Sequence, residues 1–125
     1  MRTMLRAKIH RATVTEANVD YVGSITLDGD LMDAADILPF EQVLVADVNN
    51  GERLETYAVP GERGSGVVCL NGASARVMSV GDIIIILAFE TVDEAQARQQ
   101  NPALVHVDSA NKITRVEHGV ASEVH

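Results

Sequence analysis

Gly23-Ser24, inside Tyr21-Val22-Gly23-Ser24-Ile25-Thr26-Leu27-Asp28, is the pair of neighbours in this chain best suited to unusual chemistry. A serine that follows a glycine can turn its hydroxyl on the preceding carbonyl and exchange the amide for an ester. Gly23 brings no Cβ to hinder that attack and tolerates backbone angles closed to other residues. β-Elimination from the ester would release residues 1–23 and leave dehydroalanine at residue 24. Hydrolysis would convert this to a pyruvoyl group, a ketone made from the chain itself. Read alone, the dipeptide is equally a common turn leading into a strand.

A second set of side chains suits the recognition of a small anion. Arg53 and Tyr57 lie four apart on an expected strand, so they share one face at roughly 13 Å between Cα atoms. The Arg53 guanidinium offers a planar fork of donors that matches a carboxylate. Periodicity by itself leaves Arg53 as a solvated hairpin charge and Tyr57 as a half-buried strand aromatic. Thr56 points to the opposite face, where it is equally a residue chosen for its β preference. His10, His106, His118 and His125 show no metal-ligand spacing, so no metal is expected. Cys69 is alone, within Val67-Val68-Cys69-Leu70, and reads as a buried structural thiol.

The elements that must position these groups are mostly short strands. Thr3–Val14 alternates, with Leu5, Ala7 and Ile9 on one side and Arg6, Lys8 and His10 on the other. Thr15–Val22 reads as a polar connection and Ser24–Leu27 as a short strand, followed by a brief helix through Ala35 with Asp30 as N-cap. Gln42–Val48 and Glu52–Val59 are strands joined by Asn49-Asn50-Gly51, a hairpin signal. Pro60–Gly66 is a glycine-rich loop, Val67–Leu70 a strand and Asn71–Ala75 a tight turn. Asp82–Phe89 reads as a strand buried on both faces. Thr91–Gln99 reads as a helix with Thr91 and Glu94 forming a capping box, stopped by Pro102. Leu104–Val107 and Ile113–Val116 form a last strand pair. Such a pattern predicts a small mainly-β domain, barrel or sandwich.

Composition narrows the class. The 125 residues suit one domain with a real core, and 46% hydrophobic residues with 3% aromatic require a core of Val, Ile, Leu and Ala. A net charge of −8 and the lack of an aromatic stacking platform argue against nucleic acid. The charge is uneven. Residues 1–24 hold four basic and two acidic side chains, net +2, and residues 25–125 hold six and sixteen, net −10. A cut after Gly23 would therefore leave a cationic fragment beside an anionic one. Met1–Thr15 is too polar for a leader, and Ile83–Phe89 is too short to cross a bilayer, so a cytoplasmic protein with no membrane partner is expected.

Seven motifs occur in order: Arg2-Thr3-Met4-Leu5, Lys8-Ile9-His10-Arg11, Tyr21-Val22-Gly23-Ser24, Leu31-Met32-Asp33-Ala34-Ala35, Thr56-Tyr57-Ala58, Glu62-Arg63-Gly64-Ser65 and Asn71-Gly72-Ala73. Together they resemble the L-aspartate α-decarboxylase family of pyruvoyl enzymes, over about Met1 to Val107. The resemblance implies a six-stranded double-psi β-barrel with short helices. It also implies self-cleavage between residues 23 and 24 into a short β chain and an α chain of residues 24–125. The pyruvoyl cofactor derived from Ser24 would form a Schiff base with the amine of L-aspartate, yielding β-alanine for pantothenate and coenzyme A synthesis.

By the same resemblance Ser24 and Tyr57 are catalytic, and Gly23, Ser24, Thr56 and Asn71 serve processing. Lys8, His10, Arg53, Thr56 and the backbone nest of Gly72, Ala73 and Ser74 bind substrate, with Tyr21 near the processed terminus. Ser74 and Arg76 stand where the pattern has alanine and histidine. The implied assembly is a homotetramer with active sites between subunits, and a maturation factor is left open. Two alternatives stay open: an uncleaved barrel that binds a small anion or a partner, and a pyruvoyl decarboxylase of another amino acid.

Overall fold

The alternation at the start of the chain becomes β1 (Arg2–Thr13) in the computed structural model, which describes residues 1–119. Ala7 and Ile9 face inward, and a register shift between Ile9 and Ala12 then puts Ala12 inward as well. Arg11 sits in that bulge at φ 62°. Strict alternation would have aimed its guanidinium at the core; the extra residue keeps it outside.

The remaining strands are β2 (Glu16–Asn18), β3 (Ser24–Asp28), β4 (Gln42–Asp47), β5 (Arg53–Gly61), β6 (Val68–Asn71), β7 (Ile83–Val92), β8 (Ala103–Val107) and β9 (Ile113–His118). Helices are short: α1 (Gly29–Ala35), α2 (Glu94–Ala97) and a 3-10 helix at Gly72–Arg76. The strands form one hydrogen-bonded series, β2-β6-β3-β5-β4-β7-β1-β8-β9. Six strands, β6 to β1, lie between the three-residue β2 and the β8–β9 pair. Because β1 runs through Val14 and Thr15 into β2, the chain passes from the flank of β7 to the flank of β6. Thr15 N–H donates to the Val68 carbonyl at 2.8 Å on the way. That passage closes the series, as expected of a mainly-β barrel-like fold.

Ile9, Ile25, Leu27, Val45, Leu70 and Ile86 are fully buried inside it. Each contributes about 1.5–3 kcal/mol relative to exposure. β7 is not buried on both faces as its apolar run suggested. Ile84, Ile86 and Ala88 are buried, whereas Ile83, Ile85 and Leu87 on the outer side are only half covered. An apolar run cannot tell a two-sided sheet from a barrel wall whose outer face has partial cover.

Several expected boundaries move. The connection Thr15–Val22 contains β2, parallel to β6, and the Pro60–Gly66 loop begins as strand because β5 runs on beside β3 to Gly61. The helix expected at Thr91–Gln99 shrinks to α2, since Thr91 and Val92 pair with Thr3 and Arg2 of β1. Asp93, not Thr91, is its cap, accepting from Gln96 N–H at 2.8 Å. Ladder pairing and the burial of Val92 outweigh the local capping box.

Asp28, not Asp30, caps α1. Its buried carboxylate accepts from Asp30 N–H (2.8 Å), Gly64 N–H (3.1 Å) and Gly66 N–H (2.9 Å), so it ties β3 and α1 to the Glu62–Gly66 loop. Burial pushes its pKa up, but the three amide bonds together with Lys112 prevail, leaving it below the ordinary carboxylate value. Its contribution is present above the unfolded value near 3.8 and is lost as pH falls through the lower folded value. Asp28→Ala strands three donors and should cost about 2–4 kcal/mol in chemical denaturation at pH 7. The loss should shrink toward pH 3, and a variant as stable as the parent at pH 7 would remove Asp28 from this role.

Candidate active site

β3 and β5 run parallel from Ile25↔Ala58 to Asp28↔Gly61. Continued backward by one residue, that register brings Ser24 level with Tyr57, and by two, Gly23 level with Thr56. There the strands part. β5 keeps β4 on its other side, Gln42↔Tyr57 to Ala46↔Arg53, so its edge from Arg53 to Tyr57 is open. A cleft of about 530 Å³ fills the fork, lined by Gly23, Arg53, Thr56, Tyr57, Asn71, Ala73 and Ser74. Thr56 lines it together with Arg53 and Tyr57 despite pointing to the other strand face, because the cleft opens along the edge.

Asn71 organises the inner end of the cleft. It pairs directly with Ser24 in the β3–β6 ladder. Its side chain makes no cap bond to the 3-10 helix that follows. Instead Nδ2 donates to Ser24 Oγ and to Thr26 Oγ1, each at 3.0 Å. The Cys69 thiol donates to Asn71 Oδ1 at 3.3 Å, which fixes the orientation of the carboxamide. Burial raises the Cys69 pKa, with Glu16 adding to the effect, so the thiol stays protonated. Cys69 is thus the buried structural thiol expected of it, with a second task the sequence did not signal.

Two glycines frame the Gly23–Ser24 bond differently. Gly72 has φ +72°, and a Cβ there would lie 2.7 Å from Gly23 Cα and 3.0 Å from the Tyr21 carbonyl oxygen. Only glycine lets the Tyr21–Gly23 segment lie this close. A Cβ on Gly23 itself would meet nothing nearer than the Asn71 carbonyl oxygen at 3.9 Å. The fold therefore does not demand glycine at 23, and a demand there belongs to the chemistry. Tyr21 contributes its backbone at this point while its side chain is exposed.

The turn at Asn71–Ala75 is a 3-10 helix whose leading N–H groups have no intrahelical partner. Ser74 Oγ donates to the Asn71 carbonyl at 3.0 Å, so its hydroxyl is committed within the turn. Arg76 is exposed. Asn50 Nδ2 donates to the Val77 carbonyl at 2.7 Å and so ties the β4–β5 hairpin to the end of this helix. That hairpin is built on Asp47, whose Oδ1 accepts from Asn49 N–H at 2.8 Å and Asn50 N–H at 3.3 Å. Both walls of the cleft are therefore tied together.

Lys8 and His10 are not part of this cleft. Both lie on β1, with β4 and β7 between it and β5. His10 opens instead onto a separate concavity of about 430 Å³ with Arg11, His106 and Arg115. Its ring meets His106 edge-on at 5.7 Å, and Nδ1 is buried without a hydrogen-bond partner. Burial, then Lys8, His106 and Arg11, hold its pKa below the usual imidazole range. The resemblance gave Lys8 and His10 by type; strand order alone separates them from Ser24. Another concavity, at Thr3, Gln42, Leu44 and Phe89, offers Glu55 alone for chemistry.

The chain matches the family model for aspartate decarboxylase over residues 1–114. It belongs to that family. It is 58% identical over 118 residues to an aspartate 1-decarboxylase of Moorella thermoacetica, covering 94% of this chain and 92% of that protein. Similar enzymes from Pelotomaculum thermopropionicum (95% of this chain, 90% of theirs) and Acetivibrio thermocellus (92% and 91%) are each 57% identical to it. Nearly whole-length matches of this kind carry the complete domain, not one shared motif. Among the described residues no three His, Cys, Asp or Glu side chains group to hold a metal, and no helix is long and apolar enough to cross a membrane. His125 lies outside the described residues.

Proposed function

We propose that this chain is a self-processing aspartate decarboxylase that converts L-aspartate to β-alanine and carbon dioxide, feeding pantothenate and coenzyme A synthesis. The observation that carries this reading is the meeting of Gly23-Ser24, Asn71, Thr56, Tyr57 and Arg53 at one strand fork in a member of the aspartate decarboxylase family. The cofactor would be a pyruvoyl group at residue 24. The residues present fit it: a buried hydroxyl held by an amide donor, beside an unhindered glycine carbonyl. Such a ketone supplies the electron sink that loss of an amino acid's carboxylate requires.

The chain's own residues account for the other steps. Asn71 holds Ser24 Oγ, and Thr56, which lines the cleft with Gly23, would steady charge on the Gly23 carbonyl oxygen during acyl shift. Arg53 has no ionic or hydrogen-bonding partner among the described residues, which leaves its fork free for the carboxylate that is retained. The carboxylate that departs must become neutral carbon dioxide, so firm pairing there would stabilise the ground state and slow the reaction. The amides of Gly72, Ala73 and Ser74 would add backbone donors for a carboxylate, since Ala73 and Ser74 line the same cleft. Tyr57 then gives its phenolic proton to the carbon that has lost carbon dioxide.

The cleft of one chain holds Glu52 and Glu55 against the single cation Arg53. That balance opposes a dicarboxylate substrate. It supports sites shared between copies in a homotetramer, where Lys8 of a neighbour adds positive charge and its His10 a hydrogen-bonding ring. Once cut, residues 1–23 stay bound, since β1 pairs with both β7 and β8. Arg2 with Glu94, and Arg6 with Glu41 and Asp36, add ion pairs across the two fragments. We place the enzyme in the cytoplasm.

Intact mass spectrometry of the purified chain with a β-alanine assay tests this. Residues 1–23 and a pyruvoyl-blocked 24–125 should appear, with turnover of L-aspartate that L-glutamate does not match. An uncut chain with full activity would falsify the pyruvoyl reading, and uncut, inactive material cured by cell extract would reveal a maturation factor. Arg53→Lys keeps the charge but loses the fork, so the Michaelis constant should rise about tenfold with cleavage complete. An unchanged constant would remove Arg53 from the substrate site.

A further inference from the structure

Phe40 has φ +70°, a backbone conformation in which a bulky L-residue is strained. It is also 74% exposed, so burial does not repay that strain. The turn around it is fixed by backbone and by its neighbour. Phe40 N–H donates to the Ala58 carbonyl at 2.7 Å, Glu41 N–H to the Leu38 carbonyl at 3.1 Å, and Ala58 N–H to the Glu41 carbonyl at 3.0 Å. The Glu41 carboxylate accepts from Leu38 N–H at 3.0 Å and pairs with Arg6. None of these bonds uses the side chain of residue 40. Glycine or asparagine would suit this backbone better.

What a ring at this position adds is a contact with Tyr57. The ring centroids are 6.1 Å apart with a 39° tilt, within the range of favourable aromatic pairs. Tyr57 needs such support. It stands on the open edge of β5, half-buried, and no hydrogen bond holds its hydroxyl among the described residues. The amide of its ladder neighbour Gln42 donates to Glu55 at 2.6 Å and not to Tyr57. We infer that Phe40 is a positioning residue for the reaction, bracing the Tyr57 ring so that its hydroxyl is held toward the substrate. The inference rests on the proton-donor role proposed for Tyr57. It explains why a strained, exposed phenylalanine occupies a turn that needs no ring.

The test is a double-mutant cycle of Phe40→Asn and Tyr57→Phe, with Phe40→Tyr as the conservative control. Phe40→Asn should be fully cleaved and melt at the same or a higher temperature, because asparagine relieves the strain. Its kcat should fall about three- to tenfold, the loss of one aromatic pair, with KM little changed. Phe40→Tyr should restore kcat. In the Tyr57→Phe background, Phe40→Asn should cause no further loss. An unchanged kcat in Phe40→Asn, or the same loss in both backgrounds, overturns the inference. So does a loss of activity that follows loss of assembly in sedimentation, which would make Phe40 a subunit contact. Full turnover by Tyr57→Phe alone would instead remove the proton-donor role beneath it, a failure visible in a different corner of the cycle.

Discussion

Ser24→Ala should give a single uncut mass and no detectable β-alanine, the largest effect expected of any substitution in this chain. Without the hydroxyl there is nothing to attack the Gly23 carbonyl, and no route to a ketone at residue 24. The fold should survive. Ser24 is buried, but its hydroxyl makes only an accepted bond from Asn71 Nδ2 at 3.0 Å and a long donated one to the Val22 carbonyl at 3.4 Å, and Asn71 keeps Thr26 Oγ1 as a second acceptor. Losing one such bond costs about 1 kcal/mol, too little to unfold a domain. Denaturant melting alongside intact mass and decarboxylase assays checks all three points. Cleavage or turnover in this variant would sink the proposed origin of the cofactor.

Tyr57→Phe is expected to cleave normally and then turn over about a hundredfold or more slowly, in line with the loss of a positioned general acid. Substrate binding should change little, because the proton is delivered after carbon dioxide has left. The ring and its contact with Phe40 are retained, so stability should match the parent. Measuring kcat, the Michaelis constant and the extent of cleavage on one sample separates the possibilities. Equal turnover would mean that another acid protonates the product carbon. A raised Michaelis constant with unchanged kcat would recast Tyr57 as a binding residue.

Much of this protein is legible in the order of its residues. Alternation at Thr3–Val14 predicted the first strand, Asn50-Gly51 marked the hairpin, and Gly23-Ser24 with the ordered motifs pointed to the family. These are local signals: a period of two, a turn dipeptide, a reactive pair of neighbours. Where local signals failed, a non-local partner had won. Thr91 and Glu94 spell a capping box, yet Thr91 belongs to β7 because β1 offers it a ladder. Asp28 displaced Asp30 as cap because three amides converge on its carboxylate, two of them from a loop some forty residues on.

The site divides in the same way. Sequence supplied the residue types, Ser24, Asn71, Arg53, Thr56 and Tyr57, and their chemistry. Only tertiary structure decided that they meet, since the fork between β3 and β5 depends on a parallel register with no local trace. Strand order likewise decided that Lys8 and His10 stand apart within one chain. Phe40 had no signal at all. Its strain is a backbone angle and its purpose a ring contact seventeen positions away, and neither is written in residue type or spacing.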